Sequence, residues 1–268
     1  MLTKPLKTSQ IVLLGVLSSL LAGVLLWRRN ERQPQNVVLA IKPAMSVPSG
    51  LHNSYTTSFV ATEEPISEGG KWISGKAIGL DWADVRTSTG LAYGTESGKG
   101  NGDQAYDDST ALLVGSWKPD QTVEAEVYSV NQNDDHFQEV ELRLRSSLSS
   151  RNAIGYEVLY RCSKTASAYS SIVRWDGRLG RFTYLSQKNG AEFGVADGDV
   201  VKATVKGNLI MGYINDVPVI QATDETYVDG SPGIGFWLKR GSSRRSWLRK
   251  NAGLNTDCGF RRIAAWDY

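Results

Sequence analysis

Residues 198–237 read "GDVVKATVKGNLIMGYINDVPVIQATDETYVDGSPGIGFW". Short apolar runs ("VVKATVKGN", "LIMGYINDVPVIQA", "PGIGFW") are separated by Gly, Asn and Asp at hairpin spacing. "DG" at 197–198 and "GN" at 207–208 supply the backbone freedom that two-residue turns need. The same punctuation continues upstream, with "DG" at 176–177 and "NG" at 189–190. Between these turns lie "ALLVGSW", "QTVEAEVYSV", "FQEVELRLRS", "AIGYEVLYRCS", "YSSIVRWDG" and "GRFTYLSQ". "GFRRIAAWDY" ends the chain. From about residue 51 onward there is no long amphipathic helix period. Many short strands with regular turn signals mean a sandwich or a closed barrel. No internal repeat is present, which argues against a propeller.

One strand carries unusual chemistry. In "EVELRLR", residues 139–145, side chains alternate between two faces. Val140, Leu142 and Leu144 fall on an apolar face. Glu139, Glu141, Arg143 and Arg145 are expected together on the other. Its neighbour "GYEVLYR" places Tyr156, Val158 and Tyr160 on one face and Glu157, Leu159 and Arg161 on the other. The charged face is either a solvated ladder of Glu–Arg pairs, each worth about 0.2–1 kcal/mol, or the floor of a site.

The order of these pieces resembles the concanavalin A-like, laminin G-like jelly roll. In such domains a "GD" turn opens a strand, "V-x-G-N-x-I" forms a hairpin and "Y-I-N-D" presents the next turn. "D-x-T-Y-x-x-G-x-P-G-I-G" then leads into the following strand. "DGRLGRFTYL" and "GYEVLYR" are similar to such domains as well, so the resemblance spans most of residues 51–268. It implies an all-β fold, a two-sheet antiparallel jelly-roll sandwich whose concave face carries a cleft. It does not choose a function, because the superfamily holds lectin domains, glucanases, polysaccharide lyases and structural modules.

Two enzymatic patterns are partly matched. Bacterial glucanases of this superfamily carry an E-x-D-x-(x)-E strand. Glu139 and Glu141 fit its first two acids, but Arg143 and Leu144 stand where the third belongs. Alginate-lyase jelly rolls carry R-(S/T)-E-L-R and Q-(I/V)-H strands. "ELR" at 141–143 resembles the end of the first, and the second is missing. The candidate catalytic groups are therefore Glu139, Glu141, His136 and Tyr156. The candidate ligand-binding groups are Glu141, Arg143, Tyr156, Tyr160, Arg174, Trp175, Trp237, Lys239, Arg244, Arg245 and Trp247. The last four belong to a basic stretch, "LKRGSSRRSWLRKNAGLNT" (residues 238–256), which reads either as a flap for an anionic glycan or as a solvated loop. The expected role is binding of an oligo- or polysaccharide, an anionic one, on the concave sheet. The alternatives are a lyase or hydrolase on the same face, or a structural or protein-interaction module.

Composition bounds the remaining classes. A net charge of +2 over 268 residues names no partner, and no nucleic acid is expected. Two Cys and two scattered His exclude a zinc site in practice. No cofactor is expected, although the oxygen-rich loops "NQNDDH" (131–136) and "NGDQAYDDS" (101–109) would suit a structural calcium ion. Cys162 and Cys258 are either joined outside the cytoplasm or both free. Residues 11–27, "IVLLGVLSSLLAGVLLW", form an apolar run of about transmembrane length. Residues 1–10 are then a short cytoplasmic N-terminus and residues 28–50 a Pro-containing linker, with "NVVLAI" as an alternative edge strand. The domain at 51–268 is expected outside the cytoplasm, anchored to the membrane or secreted if the N-terminal segment is cleaved.

Overall fold

The alternation and the turn signals produce strands throughout. The computed structural model describes residues 45, 47, 48, 50, 52–78, 82–98, 107–132, 136–240 and 253–268. The expected membrane helix (11–27), nearly all of the linker (28–50) and Arg244, Arg245 and Trp247 of the basic stretch lie outside the described residues. Among the described residues no helix is long and apolar enough to cross a membrane, and the only helices are short 3-10 turns.

The strands are β1 (Ser54–Thr57), β2 (Trp72–Ser74), β3 (Val85–Ser88), β4 (Leu91–Gly94), β5 (Ser109–Leu113), β6 (Gln121–Ser129), β7 (Phe137–Ser149) and β8 (Asn152–Arg161). They continue as β9 (Tyr169–Gly177), β10 (Phe182–Asn189), β11 (Val200–Lys206), β12 (Leu209–Ile214), β13 (Val217–Thr223), β14 (Ser231–Lys239) and β15 (Cys258–Asp267). One seven-stranded sheet runs β10-β9-β8-β7-β14-β5-β2. The other, of eight strands, runs β13-β12-β11-β6-β15-β4-β3, with β1 also pairing with β15. Every pairing is antiparallel, and β14 sits between β7 and β5, far from its sequence neighbours. The architecture is an all-β sandwich of two antiparallel sheets, consistent with the jelly roll that the resemblance implied.

The core lies between the sheets. Val140, Leu142 and Leu144 of β7 and Tyr156, Val158 and Tyr160 of β8 meet Val123, Ala125, Val201, Ala203 and Ile263 of the eight-stranded sheet. Burying such side chains is the main stabilising contribution, about 1.5–3 kcal/mol for each large apolar one. The tyrosine hydroxyls would be costly there without partners. Tyr160 donates to the Lys202 carbonyl at 2.9 Å and accepts from the Tyr213 N–H at 3.0 Å. Tyr156 donates to Asp224 at 2.7 Å and accepts from the Tyr227 N–H. Cys162 and Cys258 are free thiols buried in this core.

The expected charged row breaks at one point. The β7–β8 register shifts between Leu144 and Ser147, and Arg145 takes a φ of 45°. A bulge of this kind turns the next side chain away from its alternation. Arg145 donates to the carbonyls of Pro119 and Tyr227 instead, so it leaves the row of Glu139, Glu141 and Arg143.

Beside Glu141 and Arg143, β14 carries no side chain. Gly233 pairs with Arg143 and Gly235 with Glu141. A Cβ at Gly235 would meet the Glu141 carboxylate at 2.2 Å. A Cβ at Gly233 would meet the Ala111 carbonyl oxygen at 2.3 Å, a backbone atom that cannot step aside. Gly233→Ala is expected to cost about 1–3 kcal/mol, the usual penalty of overpacking. A urea midpoint unchanged from the parent would contradict this packing.

Candidate functional site

Over β7 and β8, the face of the seven-stranded sheet that points away from the core is not solvated. β7 is buried on both sides over most of its length. The reason is a second apolar cluster on this outer face, made by Leu159 of β8, Val173 and Trp175 of β9, Ala153 and Trp82. Trp82 comes from the segment before β3 and is fully buried. Its ring lies 4.3 Å from that of Trp175, edge to face. Together they enclose the charged row.

Arg143 is the centre of that row. It is 2% exposed. Its Nη2 lies 2.9 Å from Glu141 Oε2, 2.8 Å from Glu157 Oε2 and 3.8 Å from Asp108 Oδ2. Its guanidinium sits 5.2 Å from the Trp82 ring centroid and 5.7 Å from that of Trp175, within cation–π range. Trp175 Nε1 donates to the same Glu157 oxygen at 2.7 Å. Burial pulls the guanidinium pKa down, but Glu157, Glu141 and Asp108 outweigh that and hold it up. Asp108 and Glu141 are pushed well above the usual carboxylate range, by burial first and then by the nearby Glu157. Oxygens of Asp108, Glu141 and Glu157 lie within 4.8 Å of one another, close enough to share a cation. The Arg143 guanidinium takes that place.

Next to this cluster is a cavity of about 160 Å³. Asp108, Glu139 and Glu157 supply its carboxyls, and Tyr169, Trp175, Phe182, Tyr184 and Trp237 its aromatic lining, with Leu159 and Val173 completing it. Strand register explains the convergence. Trp175 pairs with Phe182 and Val173 with Tyr184 across β9 and β10, and Trp237 pairs with Glu139 across β14 and β7. Tyr184 is 55% exposed, while Trp175 is buried. Glu139 accepts a short hydrogen bond from the Tyr169 hydroxyl. Burial raises its pKa to about 8, the nearby Glu157 adds to this, and Tyr169 and Arg161 oppose it.

The sequence-derived candidates therefore divide. Glu139, Trp175 and Trp237 line the cavity, and Glu141 and Arg143 lie in the buried cluster beside it. Tyr156 and Tyr160 are corrected to the opposite face of β8, inside the sandwich, because strand alternation carries them there. Arg174 alternates the same way and is engaged by Asp176 and Asp224, each at 2.7 Å. His136 is buried beside Leu238 and Gly253 and is not part of the lining. Lys239 is exposed at the end of β14. His136, Arg143 and the tyrosines Tyr156 and Tyr160 are thus not brought together in one site.

Sequence reading passed over Asp108, Tyr169, Phe182, Tyr184 and Trp82. The F-x-Y alternation in "RFTYL" was a usable signal for Phe182 and Tyr184. Asp108 ends a loop and Trp82 stands in an irregular segment, where no period reports direction.

No protein-family model and no curated protein sequence matches the chain. Among solved structures the chain is similar to the carbohydrate-binding module CBM66 from Bacillus subtilis, with 18% identity and a TM-score of 0.44, covering 66% of this chain and 97% of that one. It is also similar to the potassium-bound carbohydrate recognition domain of Emp46p, with 12% identity and a TM-score of 0.47, covering 79% and 95%. A GlcNAcα1-4Gal-releasing endo-β-galactosidase from Clostridium perfringens matches with 12% identity and a TM-score of 0.49, covering 84% of this chain and 65% of that one. The likeness is one of fold.

Proposed function

We propose that this domain binds a glycan in the cavity on the outer face of the seven-stranded sheet. The observation that carries the reading is the convergence of five aromatic side chains and three carboxyls on one cavity. Sugars present C–H faces that pack on aromatic rings and hydroxyls that bond to carboxyl oxygens, so a mixed lining of this kind matches both surfaces. The volume is below the ~300–1,000 Å³ of pockets that enclose a drug-sized ligand. It fits one sugar unit, with the rest of the chain running over Tyr184 and Trp237. An anionic polysaccharide, suggested by the basic stretch at 238–256, finds no basic side chain among the described lining residues. We place the domain outside the cytoplasm on a membrane anchor, supported by the apolar run at 11–27 and its flanking bases.

One observation favours a second reading, glycoside hydrolysis. With a pKa of about 8, Glu139 keeps its proton at neutral pH, as a general acid must, and Glu157 offers a second carboxyl in the same cavity.

A glycan array probed with the full chain tests both. Binding is expected, and Trp237→Ala and Tyr184→Ala are each expected to weaken it about tenfold, the loss typical of a principal aromatic contact. New reducing ends from a bound glycan, abolished by Glu139→Gln, would establish hydrolysis. Silence across the array would overturn the glycan reading.

A further inference from the structure

The cavity lining has a definite charge character. Its titratable acids are Asp108, Glu139 and Glu157, and none of the described lining residues is basic. The guanidinium groups nearby are already engaged. Arg143 lies under Trp82 and is held by Glu141 and Glu157. Arg161 is buried, donates to the Ser167 carbonyl at 2.7 Å and stacks 4.1 Å from the Phe137 ring centroid. Among the described residues, four carboxyls, those of Asp108, Glu139, Glu141 and Glu157, thus share these two cations in a space largely closed to water. Glu141 shows the imbalance: its Oε1 is buried with no hydrogen-bond partner among the described residues.

We infer that the sugar unit taken by this cavity carries a protonated amine, as in a hexosamine without its acetyl group. The inference rests on the glycan-binding reading and names its ligand class. Three physical arguments support it. First, an ammonium entering beside Glu139 and Asp108 supplies the positive charge that the cluster lacks, through charge-assisted hydrogen bonds of ~2.7–2.9 Å. Second, the same aromatic rings that pack on sugar C–H faces also attract a cation through their quadrupoles. Third, a uronate carboxylate would enter a low-dielectric site in which none of the described lining residues is a basic side chain that could pair with it. Burial outweighs the opposing pull of Tyr169 and Arg161 on Glu139 and raises its pKa to about 8, and an ammonium beside it would favour the ionised form.

The experiment compares four oligosaccharide series on the full chain by calorimetry: glucosamine oligomers, N-acetylglucosamine oligomers, neutral glucose oligomers and uronate oligomers. Glucosamine oligomers are expected to bind at least about tenfold more tightly than their acetylated counterparts, a difference of about 1.4 kcal/mol. Glu139→Gln is expected to erase most of that preference, weakening the glucosamine series more than the neutral one. Asp108→Asn provides an independent check should Glu139→Gln fold poorly. Acetylated, neutral or uronate oligomers binding as well as or better than the amine, with Trp237→Ala still weakening binding, would overturn the inference and leave the glycan reading intact. Failure of all four series would overturn both.

Discussion

Arg143→Ala is expected to cost the domain about 3–5 kcal/mol, the penalty for breaking a buried ion pair by removing one partner. The size follows from what remains. Glu141 and Glu157 would lose a guanidinium nitrogen at 2.9 and 2.8 Å, and both are almost fully buried. Trp82 and Trp175 would lose the cation they flank. Buried pairs are weak evidence for stability in themselves, because replacing the whole set with neutral groups is often tolerated. Arg143→Met combined with Glu141→Gln and Glu157→Gln is therefore expected to recover much of the loss. Urea unfolding at constant slope reports both values. A loss below about 1 kcal/mol for Arg143→Ala would place the cluster in the class of solvated surface pairs.

Raising the pH from about 5 to 9 is expected to destabilise the parent domain, and Glu139→Gln is expected to remove part of that slope. In the unfolded chain a glutamate titrates near ~4.3. In the fold, burial lifts Glu139 to about 8. Between these values the folded state holds a proton that the unfolded state has released. The stabilisation is fully present below the unfolded pKa and is lost as the pH rises through the folded one. Glu96, lifted by burial to about 7, contributes with the same sign. Asp199, Asp224 and Asp267 act oppositely, since burial raises them but hydrogen bonds outweigh it and lower them. Their contributions change mainly below about pH 4, outside this window. At pH 9 the Glu139→Gln variant is expected to exceed the parent by a few kcal/mol, on the order of the linkage from one such group. Parallel stability curves for the two proteins from pH 5 to 9 would contradict a buried, protonated Glu139.

The fold was legible because its turns and its strand periods agree. "EVELRLR" announces both faces of β7, and the core side matches residue for residue: Val140, Leu142 and Leu144 all pack between the sheets. The other side was legible only as a question. Alternation states that Glu139, Glu141 and Arg143 point together, but not whether water or protein covers them. Trp82, from an irregular segment far away in sequence, settles that they are covered. Arg145 was misplaced for a related reason, since a single non-glycine residue in the left-handed region resets the alternation within its own strand. The aromatic lining was half visible. Trp175 and Trp237 stood out by size, whereas Phe182 and Tyr184 gain meaning only through the β9–β10 register that sets them beside Trp175.

The most direct measurement is a two-dimensional NMR titration of the tryptophan indole N–H signals with the strongest-binding oligosaccharide. The indole of Trp175 bonds to Glu157, and Trp237 lines the same cavity. Those two signals are expected to shift together and saturably. Trp72, whose indole is held by Tyr55 and Glu68, and Trp266, held by Tyr268, are expected to stay in place. Movement of Trp72 or Trp266 with Trp175 and Trp237 unchanged would put the ligand elsewhere and contradict the cavity as the binding site.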